Sequence, residues 1–178
     1  MSPLKNKNGS IHWEDFGTIF YTWSHEGLQN ISFSEKQSST KEDHPALKKF
    51  FKAYREGHEA VRDFPLDIQN YTSFQRHVWH IISAIPFGEV RSYQWIADQM
   101  GQPAAVRAVG QAVGANPFPI VIPCHRVVNA NGELGGFSGG IEWKKKLLAM
   151  EGTQVCNFVC KKKPRSILRG LRKGGLGI

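Results

Sequence analysis

The sequence predicts an α/β (α+β) protein: a small β-sheet-containing amino-terminal part, then a mostly helical part with a helix-turn-helix. Three observations carry this. Two β-rich runs, 17–23 and 28–34, flank Ser24-His25-Glu26-Gly27, a hairpin signature with glycine closing the turn. From Thr72 onward, apolar residues recur at helical spacing. Two short helical stretches then meet at Gly101, with Pro103 opening the second.

Between these parts, Leu47, Phe50, Phe51 and Tyr54 form one apolar helix face, with Gly57 as a stop. The segment 62–70, containing Pro65, reads as a connection. The expected division is therefore 1–70, 71–152 and a basic tail, 153–178. In the second part Thr72 and Gln75 form a capping box. Phe74, Val78, Ile81, Ile82 and Ile85 then build a buried face that ends at Pro86 and Gly88. Ser92 can cap a short helix through Met100, and a second helix runs from Pro103 to about Ala115. That second helix is nearly bare: Ala104, Ala105, Ala108, Gly110, Ala112, Gly114 and Ala115, with Arg107 its one charged side chain. Glycine inside a helix costs roughly 1 kcal/mol relative to alanine, so the bareness needs a reason. Close packing against another helix is one. Approach to a surface as narrow as the minor groove of DNA, about 6 Å wide, is another.

The values of 40% hydrophobic and 21% charged residues are those of a soluble globular chain. No apolar leader follows the amino terminus and no run is long enough to span a bilayer, so a soluble, cytoplasmic protein without membrane partners is expected. The net charge of +8 suggests nucleic acid, but residues 1–152 carry 16 basic against 15 acidic side chains, and the tail carries the other seven basic ones. A neutral body must bind DNA by shape and specific contacts as well as by charge. Three cysteines, Cys124, Cys156 and Cys160, make no disulfide framework and leave a thiol to explain. No role is assigned to Cys156 and Cys160.

The segment 116–128 carries Pro117, Pro119 and Pro123 ahead of Cys124-His125. Each proline biases its preceding residue away from helix, which predicts a rigid extended strand presenting the thiol. In such a strand neighbouring side chains point to opposite sides, so Cys124 and His125 are not expected to touch directly. No second cysteine or histidine lies at zinc-ligand spacing nearby, and no metal is expected.

The stretch Pro123-Cys124-His125-Arg126-Val127-Val128, followed by Gly135-Gly136-Phe137-Ser138-Gly139-Gly140, resembles the active-site signature of the O6-alkylguanine-DNA alkyltransferases. Gly88-Glu89-Val90-Arg91-Ser92-Tyr93, Arg107-Ala108-Val109-Gly110 and Leu147-Leu148-Ala149-Met150-Glu151-Gly152 follow in the family's order. The resemblance implies a ribonuclease H-like amino-terminal domain and a winged-helix-like carboxy-terminal one. It implies a monomer without cofactor that moves an alkyl group from O6-alkylguanine, and from O4-alkylthymine, in double-stranded DNA to its own cysteine, once. On the matching residues Cys124 is the nucleophile, with His125 joined to it through a water and oriented by Glu151. Arg107, with Ala105, Ala108 and Gly110 on the same helix, serves minor-groove binding and base flipping. Tyr93 crowds the flipped nucleotide and donates to guanine N3, and the backbone N–H of Ser138 serves O6. Carbonyls of Cys124 and Val127 accept from the exocyclic amine. Pro119 and Phe137 complete the pocket, and Asn116 ties the helix to the active-site strand. Phe137 stands where many relatives carry tyrosine, and the amino-terminal part has no cysteine for the zinc site of some relatives.

Two other functions remain open. A DNA-binding module that recognises alkylated bases or regulates transcription needs no cysteine, and a thiol enzyme for small molecules needs no bare helix.

Overall fold

The computed structural model describes residues 6–14, 16–35 and 44–153. Its first element is a three-stranded antiparallel sheet in the order β1-β2-β3: β1 (Lys7–Trp13), β2 (Gly17–Ser24) and β3 (Gly27–Ser34). The hairpin expected at His25-Glu26 joins β2 to β3. Strand β1, which the sequence did not suggest, pairs with β2 along its whole length. Helix α1 (Pro45–Arg55) buries Leu47, Phe50, Phe51 and Tyr54, the four residues of the expected face. Burying each contributes roughly 1.5–3 kcal/mol.

The connection 62–70 is sewn to the sheet edge. Leu28 N–H donates to the Pro65 carbonyl and Asp67 N–H to the Leu28 carbonyl, at 3.1 and 2.8 Å. Helix α2 (Ser73–Ser83) opens on the Thr72/Gln75 capping box. It buries Val78, Trp79 and Ile82, and the Trp79 ring N–H donates to the Ala112 carbonyl at 2.8 Å. Strand β4 (Arg91–Ser92) leads directly into α3 (Tyr93–Gln99), whose first turn is capped by the Ser92 hydroxyl. Gly101, at a φ of 68°, turns the chain toward α4 (Val106–Gly114). The expected continuous helix from Pro103 is instead a 3-10 turn, Pro103–Ala105, followed by α4.

A parallel pair joins β4 to β5 (Val127–Val128), and α5 (Ile141–Met150) closes the described chain. One hydrophobic core takes side chains from the three-stranded sheet, all five helices and β5. The sheet and the helical part meet through rings: Phe33 stacks on Trp143 at 4.3 Å, and Trp13 lies edge-on to Trp143 at 6.3 Å. Among the described residues no helix is long and apolar enough to cross a membrane. The tail beyond Thr153, with Cys156 and Cys160, lies outside the described residues.

Candidate active site

The segment before Cys124 is not the extended strand its prolines predict. A proline restrains the residue before it, here Asn116, Phe118 and Ile122, which leaves Ile120 and Val121 free to turn. Ile120 takes a φ of 74°, and Ile122 N–H returns to the Phe118 carbonyl at 2.8 Å. Asn116, just beyond α4, fastens this loop, accepting from Phe118 N–H and donating to the Ile122 carbonyl, both at 3.0 Å. These two bonds link the residue that follows the end of α4 to the loop before Cys124. Cys124 opens a 3-10 turn, Cys124–Arg126, with all three residues buried.

His125 is fully buried. Its Nε2 lies 2.8 Å from Glu151 Oε1 and 3.1 Å from the Tyr54 hydroxyl, while Nδ1 is buried without a partner among the described residues. Neither ring nitrogen bonds the thiol, although the extended geometry that predicted this is absent. Glu151 sits just past α5 as its C-cap, not on the surface, and is 6% exposed. It accepts from Arg126 Nε and Nη2, the Tyr54 hydroxyl, Gly88 N–H and the His125 ring. Burial alone would raise its carboxyl, yet His125, then Arg126 and Tyr54, hold it down to about 2. Burial lowers His125 and keeps the imidazole neutral. Burial also pushes the Cys124 thiol up to about 11, so the resting residue is the protonated thiol.

Cys124 lines a cavity of about 310 Å³ with Tyr93, Gly110, Val113, Gly114, Gly136, Phe137 and Ser138. The parallel β4–β5 pair, Arg91 opposite Val127, sets Tyr93 beside the thiol. The Tyr93 hydroxyl packs against Gly135, where a Cβ would approach it to 2.7 Å. Helix α4 turns Val109, Ala112 and Val113 to the core, whereas a Cβ on Gly110 or Gly114 would touch nothing within 4 Å. Internal packing therefore explains one face of the bare helix and not these glycines. Ala108 and Arg107 are exposed and Ala105 half-buried on the same stretch. A second hollow of about 340 Å³ on the sheet, lined by Asn8, Phe20, Thr22 and Asn30 among others, carries no cysteine, histidine or charged side chain.

Of the expected pocket residues, Phe137 and Ser138 line the cavity, while Pro119, Val127 and Asn116 are buried beside it and do not. The Val127 carbonyl already accepts from Lys144 Nζ at 2.6 Å. Sequence reasoning missed Lys144, Arg126 and Tyr54. Lys144 is fully buried on α5 with backbone carbonyls as its partners, and burial draws its ammonium down to about 8. Only one signal could have found it: a lysine at the position i−3 from Leu147, inside an apolar helix face.

By fold and site this is a mixed α/β protein with a buried cysteine–histidine–glutamate centre beneath a glycine-bearing helix. The family model described as 6-O-methylguanine DNA methyltransferase, DNA binding domain, matches residues 73–153. A methylated-DNA–protein-cysteine methyltransferase of Mycolicibacterium paratuberculosis is 50% identical over 99 residues, which is 56% of this chain and 59% of that protein. Its namesake from Salmonella typhimurium is 38% identical over 148 residues, covering 80% of this chain and 82% of the relative. The crystal structure of Mycobacterium tuberculosis OGT in complex with DNA superposes with a TM-score of 0.70 at 39% identity, covering 81% of this chain and 91% of that one. The chain belongs to the methylated-DNA–protein-cysteine methyltransferase family. It spans about three fifths of the length of the mycobacterial relatives it matches at 50% identity.

Proposed function

We propose that this protein repairs DNA by direct reversal, moving a methyl or larger alkyl group from O6-alkylguanine, and from O4-alkylthymine, irreversibly onto its own Cys124. The observation that carries the reading is the buried Cys124 thiol lining the cavity, next to an imidazole whose Nε2 faces Glu151 and whose Nδ1 has no partner among the described residues. A thiol held at about 11 needs a base at the moment of attack. Nδ1 takes the proton, directly or through a water, and Glu151 stabilises the imidazolium that forms. The sulfur attacks the alkyl carbon, the carbon–oxygen bond breaks, and its electron pair leaves with guanine. Tyr93 donates to the ring as that charge develops, and the Ser138 N–H serves O6.

The substrate base is stacked inside double-stranded DNA and must be flipped out. Arg107 enters the stack, and Ala105, Ala108 and Gly110 let α4 lie in the minor groove. Phe137 walls the alkyl pocket with Val127 and Pro119 behind it, and Asn116 holds the loop. The protein acts as a monomer, in the cytoplasm, where the thiol stays reduced. A ribonuclease H-like domain, 1–70, is supported by the antiparallel meander and following helix. A winged-helix-like domain, 71–152, is supported by α3, the Gly101 turn and α4. The basic tail, 153–178, adds non-specific attraction to DNA.

Incubation with a stoichiometric O6-methylguanine duplex should leave one methyl on the peptide containing Cys124, read by peptide mass mapping, and Cys124→Ala should bind the duplex without transfer. An unmodified Cys124 would sink this reading and leave the DNA-binding module in its place.

A further inference from the structure

The transfer to Cys124 uses His125 and Glu151 and leaves unused a buried hydroxyl that lies within hydrogen-bond distance of both. Tyr54 comes from α1, in the amino-terminal part, and its hydroxyl lies 2.5 Å from Glu151 Oε1 and 3.1 Å from His125 Nε2. With His125 Nε2 2.8 Å from the same Oε1, the three atoms form a closed triangle. We propose that Tyr54 is a positioning residue of the transfer reaction, its hydroxyl fixing the His125 ring and sharing the Glu151 charge so that His125 stays a neutral base. This rests on the alkyl-transfer reading of the same site.

The proton count supports it. A carboxylate can only accept, so the single hydroxyl proton of Tyr54 goes to Glu151. Burial, followed by the Glu151 charge, drives the tyrosine far above its ordinary range, and it keeps that proton. The Tyr54 oxygen then offers His125 a lone pair. Both atoms facing Nε2 are acceptors, so Nε2 carries the ring proton and Nδ1 keeps its lone pair. That is the tautomer a base toward Cys124 requires.

Packing does not account for the hydroxyl. The ring of Tyr54 meets Trp13, Phe87 and His125 edge-on at 6.0, 5.8 and 6.2 Å, contacts a phenylalanine would keep. A buried hydroxyl is costly unless bonded, so its place in the triangle is a specific feature. The charged or titratable groups facing His125 are Tyr54 from α1, Glu151 and Lys144 from α5 and its end, and Arg126 and Cys124 from its own turn. Tyr54 and Arg126 both draw on the Glu151 charge by charge-assisted bonds, which are about twice as strong as neutral ones. The 3.1 Å branch back to His125 is the weaker of the two Tyr54 bonds. Removing the hydroxyl therefore returns charge to His125 and raises its affinity for a proton.

The test uses the full chain with Tyr54→Phe, following the rate–pH profile on an O6-methylguanine duplex and on free O6-benzylguanine. A ¹⁵N NMR titration of His125 accompanies it. At neutral pH the rate should fall on the order of 10-fold, part of the 10²–10⁴-fold a positioned base supplies. The loss should be equal on both substrates. The acid limb and the His125 midpoint should both move to higher pH. An unmoved midpoint, or a loss confined to duplex, overturns the proposal. Phe50→Leu, on the buried face of the same helix, should lower the melting temperature and leave the midpoint in place. A midpoint moved equally by both variants would reduce Tyr54 to helix packing and also overturn it. If wild-type Cys124 takes no alkyl group and Tyr54→Phe still moves the midpoint, the transfer reading fails while the positioning of His125 by Tyr54 stands.

Discussion

On the inner side of Cys124, four buried polar side chains, Tyr54, His125, Arg126 and Glu151, bond one another. On the outer side, Gly110 and Gly114 present bare backbone, and a Cβ on either would meet nothing within 4 Å. The inner side is over-determined. Arg126 also donates to the Ile85 carbonyl at 2.6 Å and lies over the Phe87 ring at 5.6 Å, so its guanidinium is held on several sides at once. The outer side is under-filled, since alanine would fit at Gly110 and help the helix. Chemistry that moves one proton needs fixed partners, whereas a surface that must admit a large ligand needs room. The two sides should therefore respond to substitution in opposite ways.

Glu151→Gln tests the inner side and should have the largest effect. It removes the charge that answers Arg126 and leaves that guanidinium buried and unpaired, a loss of about 3–5 kcal/mol in chemical denaturation. Transfer should slow on the order of 10²-fold on duplex and free base alike, because the base loses its partner. The pH dependence follows from the depressed carboxyl. Held near 2 when folded against an ordinary value of 4.5, Glu151 contributes stability that is full above 4.5 and is lost as pH falls toward 2. Wild type should lose stability across that window, and Glu151→Gln should not. A variant as stable as wild type would mean the inner network is not over-determined.

Arg107→Ala tests the outer side. The residue is exposed and no described partner fixes it, so stability should stay within about 0.5 kcal/mol. Duplex transfer should slow on the order of 10-fold, since filling the vacated stack offsets part of the unstacking cost. Transfer from free O6-benzylguanine, which needs no flipping, should hold. Equal losses on both substrates would move Arg107 from the outer side to the chemistry.

Sequence periodicity was enough to place α1, α2 and the hairpin, because their apolar faces repeat at the spacing of the element. Strand β1 was not legible, its alternation reduced to Ile11 and Trp13 among small and polar residues. The prolines do not predict the loop before Cys124, because each reports on a single dihedral, while Asn116 fastens the loop by reaching six residues along the chain. Cys124, His125 and Glu151 were legible only through motif spacing. Tyr54 was hidden in plain view: its position belongs to an apolar face, and its hydroxyl finds partners 71 and 97 residues away. Long-range polar pairs leave no periodic trace.

The smallest effect is the sharpest test of the outer side. In a helix interior, glycine-to-alanine gains about 1 kcal/mol when the methyl meets no obstacle, and at Gly110 nothing lies within 4 Å. Gly110→Ala should therefore raise the melting temperature. Gly110 also lines the cavity beside Cys124, so the methyl projects into space the substrate must use. Duplex transfer should slow while the more compact free base is affected less. A stabilised variant with undiminished duplex transfer would show that the outer side has room to spare, and the glycine would lose its functional explanation. A stabilised but slower one would show that about 1 kcal/mol of helix stability is forgone at Gly110 to keep the approach to Cys124 open.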